Sequence, residues 1–154
     1  MEAIIASAMA VVGTLLGSGI TLAFQRRTAE RGHLLARDEK LRQERLDAYT
    51  AYAGALVNYR RCLVHLWFCL RESPPHEDPD VVRIRAYDLR SVAQEALFRL
   101  QMLTSDEGLG RSGEALLEDI TMLQRVSDRR ALEECRVRTR DGISELVRAA
   151  KQRL

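Results

Sequence analysis

Cys62, His65 and Cys69 are the residues whose types and spacing could do chemistry. At i, i+3 and i+7 they line one side of a helix. Thiolate and imidazole are ligands for zinc or copper. One helix supplies an adjacent pair such as His65 and Cys69, and a full site would draw on Cys135, His76 or a second copy of the chain. Cys62 and Cys69 cannot join as a disulfide, because seven residues of helix hold them about 10.5 Å apart. The surrounding segment, CLVHLWFCL, is apolar nearly all round, and a free cysteine is also a small core hydrophobe. Core packing is therefore the favoured reading, with no cofactor and no metal. A metal or redox sensor built on Cys62, His65 and Cys69 is the alternative.

Other reactive side chains point to structure in the same way. Tyr49, Tyr52 and Tyr59 have no histidine or carboxylate constellation beside them in sequence, so they read as core residues with hydroxyls at the core's edge. Arg129, Arg130, Arg136, Arg138 and Arg140 suggest a basic strip, but Asp128, Glu133, Glu134 and Asp141 interrupt it. That mixture describes a solvated face and not a nucleic-acid surface. Phosphate-binding glycine loops, HExxH and GxSxG are absent, so no catalytic residue is assigned and no enzyme is expected.

The elements that would position these residues are helices. Tyr49, Tyr52, Leu56, Tyr59, Leu63, Leu66 and Leu70 recur at alternating spacings of three and four, a heptad seam that Ala53 and Trp67 widen. Pro74 and Pro75 end that helix near Arg71. Asp78 can cap the next helix with Pro79 in its first turn. That helix, from about Pro79 to Thr104, carries Val82, Ala86, Leu89, Ala93, Ala96, Leu100 and Leu103 on one stripe. The glycine-rich stretch from Asp106 to Gly113 reads as a break before a short helix, about Glu114 to Arg125. Ser127 is the expected cap of a last helix, about Asp128 to Arg153, whose inner face holds Leu132, Cys135, Thr139, Ile143, Leu146 and Ala150.

All of this follows an uncharged run of 22 residues, Ala3 to Phe24. As a helix it would span roughly 33 Å, enough to cross a bilayer core of about 30 Å. Seven basic residues lie between positions 25 and 45 and none precedes the run. The positive-inside rule then predicts a cytoplasmic C-terminus. Gly13 and Gly17 form a small-xxx-small pair on which two such helices could associate. Val64 and Phe68 lie off the main seam beside Trp67, so either the short helix or another chain must cover them.

Residues 1–27 are thus expected to anchor the chain, 28–45 to form a helical stalk and 46–154 to form the bundle. The fold class is all-α: one N-terminal transmembrane helix, then a cytoplasmic bundle of three long helices and one short. The net charge of +2 is too small to demand a nucleic-acid partner. Three cysteines, an odd number, in a cytoplasmic domain should stay reduced. Only Lys40 and Lys151 among 24 basic residues are lysine, a bias that a GC-rich genome writes.

The pattern AVVGTLLGSGIT…QRR, then RQERLDAYTAYAGAL and YRR, over about residues 10–61, resembles small actinobacterial single-span membrane proteins. Some of these are KilB-like plasmid-spread proteins of plasmids and phages. The resemblance implies a membrane protein and passes on no catalytic residue. The function expected is a non-enzymatic, membrane-anchored helical scaffold or protein-interaction module. It would sit in the plasma membrane as a homo-oligomer through Gly13, Gly17, Val64, Trp67 and Phe68, with a further protein partner.

Overall fold

The computed structural model describes the helical course of the chain from Glu2 and its side chains from Leu35 to Leu154. Helix α1 runs Glu2–Cys69, α2 Pro79–Leu103, α3 Glu107–Thr121 and α4 Arg129–Lys151, with a 3-10 turn, Met122–Arg125, between the last two. The chain divides into two units, Met1–Leu41 and Arg42–Leu154. The second is an all-helical bundle to which each of the four helices contributes. The side chains of the apolar run 3–24, with Gly13 and Gly17, lie outside the described residues. Among those residues no helix is long and apolar enough to cross a membrane.

The seam of α1 is the bundle's centre. Tyr52, Leu56, Leu63 and Leu66 are at most 1% exposed, and each buried leucine contributes roughly 1.5–3 kcal/mol. Leu70, expected to close the seam, is instead exposed. The helix ends one residue earlier, and the amides of Arg71 and Glu72 both bond the Phe68 carbonyl at 2.9 Å. The chain is already turning toward Pro74 there.

Helix α2 starts as expected: Pro79 stands in its first turn, and the Asp78 carboxylate accepts the Asp80 amide at 2.9 Å. Its buried stripe drifts from the strict heptad. Leu97 is buried where Ala96 is half-exposed. A helix with 3.6 residues per turn rotates about 20° per heptad against a seven-residue repeat, which carries Leu97 inward.

The region from Asp106 to Gly113 is a helix start, not a break. The Asp106 carboxylate accepts the amides of Gly108 at 2.7 Å and Leu109 at 3.1 Å and so caps α3. Arg153 binds the other oxygen of the same carboxylate. Gly113 is kept bare by close packing, because a Cβ there would lie 3.1 Å from both Leu97 Cδ1 and Tyr52 Cε1. At α4 the cap is Asp128, not Ser127. Its carboxylate accepts the Ala131 amide at 2.9 Å, while the Ser127 hydroxyl donates to Asp128.

Candidate functional site

Cys62, His65 and Cys69 do share one side of α1, but their polar atoms diverge. The Cys62 thiol faces the Val82 carbonyl of α2 at 3.7 Å, and burial pushes its pKa up. His65 Nε2 lies 3.1 Å from Glu77 Oε2 and 3.5 Å from Cys69 Sγ. A nucleophile–base–acid relay needs the acid on one imidazole nitrogen and the nucleophile on the other. Here both partners meet the same nitrogen. Glu77 is held first by Arg85, at 2.7 Å, and that bond with the one to His65 keeps its carboxyl below the usual range.

Among the described residues no three His, Cys, Asp or Glu side chains are grouped to hold an ion. His76 pairs with Glu72 at 3.4 Å and is widely exposed. Cys135 is buried on α4, where Arg138 reaches its sulfur at 3.5 Å. All three thiols are free.

The Tyr52 and Tyr59 hydroxyls, expected at the core's edge, lie inside the core. Tyr52 donates to the Gly113 carbonyl at 2.8 Å. Tyr59 lies 3.2 Å from the Thr121 hydroxyl, which itself donates to the Leu117 carbonyl. Burial raises the pKa of both phenols, so both stay protonated and serve as hydrogen-bond donors. Arg60 reaches α4, with Nε 3.0 Å from the Thr139 hydroxyl and Nη2 2.6 Å from the Arg136 carbonyl. On α4, Arg130 pairs with Glu134, Arg136 with Glu133 and Arg140 with Asp141. These pairs lie on an exposed face of α4.

The candidate interaction residues separate into groups. Trp67 is 5% exposed and donates from Nε1 to the Val126 carbonyl at 2.9 Å. Arg71 bonds the same carbonyl at 2.7 Å and covers the Trp67 ring at 4.3 Å. Val64 and Phe68 are half-buried and pack against the same core, Phe68 edge-on to Trp67 at 5.2 Å. Gly13 and Gly17 lie outside the described residues.

Two exposed apolar features had not been singled out in the sequence. One is a hollow of about 400 Å³ between α1 and the end of α4, lined by Leu46, Tyr49, Ala53, Val147 and Leu154 among others. The other is the outer face of α2, where Ile84, Tyr87, Phe98 and Met102 are 55–79% exposed. The signal for the second was present: these residues repeat with helical period, out of phase with the buried stripe.

The four-helix unit coincides with a known family. The KilB plasmid transfer protein family matches residues 46–154. The chain belongs to that family. The match covers α2, α3 and α4, well beyond the segment of about residues 10–61 in which the KilB-like resemblance was read. The KilB assignment therefore rests on the bundle itself. No curated protein and no solved structure matches the chain.

Proposed function

We propose that this chain is a non-enzymatic, membrane-anchored helical module of plasmid transfer, which self-associates and binds a further protein. The family match over residues 46–154 carries the reading. The side chains that bridge the helices agree with it, since the Tyr52 and Tyr59 phenols and the Arg45, Arg60 and Arg71 guanidiniums make hydrogen bonds within the bundle. The uncharged run of 22 residues, Ala3 to Phe24, and the seven basic residues after it support a single span with a cytoplasmic C-terminus.

Reporters fused after Leu154 test the anchor. A reporter that works in the cytoplasm should be active there, and activity of a periplasm-dependent one would refute the orientation. Conjugation between a plasmid-bearing donor and a plasmid-free recipient tests the process. Removal of residues 2–27 should abolish the chain's contribution while the remaining bundle stays folded. Full transfer with a soluble bundle would refute the anchored reading.

A further inference from the structure

We propose that the hollow between α1 and the end of α4 is a binding site for a fatty acid, a single alkyl chain that ends in a carboxylate. The site lies within the bundle and stands apart from the anchor and from self-association. Its wall comes from three helices: Tyr49 and Ala53 on α1, Leu100 on α2, and Leu146, Val147 and Ala150 on α4. All of them belong to the unit Arg42–Leu154. Walled in this way it is a cavity and not one open helix face. Apolar cavities hold water poorly and take apolar ligands instead. Its volume of about 400 Å³ falls within the roughly 300–1,000 Å³ of small-molecule sites.

Such sites combine an apolar wall with a few convergent polar groups, and two are present here. One is the Tyr49 hydroxyl. Tyr52 and Tyr59 on the same seam commit their hydroxyls to Gly113 and Thr121. Tyr49 is 7% exposed and makes no hydrogen bond among the described residues. Its hydroxyl is not sealed from water either, because Arg90 Nε is the buried side-chain atom left without a partner among those residues. The hydroxyl therefore opens on the space that Tyr49 lines. Phenylalanine would serve packing alone at this position, and the O–H adds a donor to the wall. The second group is the Lys151 ammonium, in the last turn of α4 and on the same hollow. It forms no ion pair among the described residues. Its stem can lie along the apolar wall with the charge at the mouth.

These features choose the ligand. The wall is mostly leucine, valine and alanine, which suits an alkyl chain. A methylene is about the size of a water, whose share of liquid volume is about 30 Å³, so the hollow takes roughly a dozen. The ammonium has only N–H donors and the phenol supplies an O–H, while a carboxylate has two acceptor oxygens, one for each. An alkyl amine would meet like charge, and an alcohol would leave the ammonium unpaired. A docking helix is about 10–12 Å across and too wide to enter.

Photolabelling of the full-length chain in lipid nanodiscs tests the site, with dodecanoate carrying a diazirine near its tail as the probe. Labelling should saturate, should be competed by unlabelled dodecanoate and should map by mass spectrometry to the peptides carrying Tyr49 and Val147. Ala53→Phe and Val147→Trp fill the hollow from opposite walls, and each should abolish that labelling. Val147 is 48% exposed, so its variant should fold, and circular dichroism checks both. Tyr49→Phe should weaken competition by dodecanoate about tenfold, as loss of a hydrogen bond to a charged group does. Lys151→Gln should weaken it about threefold, as loss of an exposed ion pair does, and should leave competition by dodecanol unchanged. A purely structural role for Lys151 would move both competitors alike. Phosphatidylcholine with the same diazirine should leave the hollow unlabelled. Absence of saturable labelling there, or labelling that survives both fillings in folded protein, overturns the site. Equal effects of Lys151→Gln on dodecanoate and dodecanol overturn the carboxylate as the head group. Labelling by the phosphatidylcholine probe overturns the free acid in favour of a bilayer acyl chain.

Discussion

Gly113 and Gly54 are both helical glycines, and alanine should move stability in opposite directions at the two. In a helix interior Gly→Ala gains about 1 kcal/mol of propensity. At Gly54 nothing would lie within 4 Å of the new methyl group, so Gly54→Ala should show that gain in full. At Gly113 the methyl would meet Leu97 and Tyr52 at 3.1 Å, and those side chains are 1% and 0% exposed. Overpacking of that kind costs about 1–3 kcal/mol. A displaced Tyr52 ring also weakens its 2.8 Å bond to the Gly113 carbonyl, about 1 kcal/mol more. Against these stand the propensity gain and about 0.8 kcal/mol for the buried methyl. The net expectation is a loss of about 1 kcal/mol, or about 4 °C in Tm. Urea unfolding of residues 28–154, followed by far-UV circular dichroism, measures both variants against wild type. Equal stabilisation by Gly113→Ala and Gly54→Ala would refute the close crossing of α1 and α3.

The cysteines and the α3 cap give the remaining tests. Cys62→Ala with Cys69→Ala should cost about 1–2 kcal/mol and leave metal content unchanged; stoichiometric zinc in wild type, lost in the double variant, would restore the sensor reading. In the native chain the buried thiols should react with an aromatic disulfide reagent only at the rate of unfolding, and prompt reaction of Cys69 would contradict its burial. Asp106 has a lowered pKa, through Arg153 first and the Leu109 amide next. Its ionised form is therefore favoured by folding. That stabilisation is complete above the unfolded value of about 3.9 and is lost as pH falls through the lower folded value. Wild type should be more stable than Asp106→Asn at about pH 6, and the two should converge near about pH 2. A gap that stays constant with pH would assign the effect to shape and not to charge.

How much of this was legible depended on the range of the interaction. The seam of α1 could be read because apolar spacing is local, and the start of α2 because Asp78 and Pro79 are a local signal. The start of α3 was misread because glycine has two uses. Three glycines in seven residues look like a loop, yet Gly113 is small because Tyr52, 61 residues away in sequence, crosses it. The end of the seam was placed one residue too far, at Leu70, since the pull of the loop outweighs apolar spacing there. In the candidate site the identities of Cys62, His65 and Cys69 were plain. That Glu77 and Cys69 meet the same imidazole nitrogen required the loop to fold back onto α1.

The bonds made by α1 explain why its reactive side chains do structural work. Arg45 bonds the Leu103 carbonyl in the last turn of α2 at 2.9 Å, where helices leave unsatisfied acceptors. Tyr52 holds α3, Arg60 holds α4, and Trp67 with Arg71 holds the link between them at Val126. Each of these bonds ends on a backbone carbonyl, which carries no side-chain specificity of its own. Register therefore comes from α1. The outer face of α2 is free of that constraint. A helix that needed only its inner stripe could carry charge on the other side, yet four large apolar side chains remain exposed there.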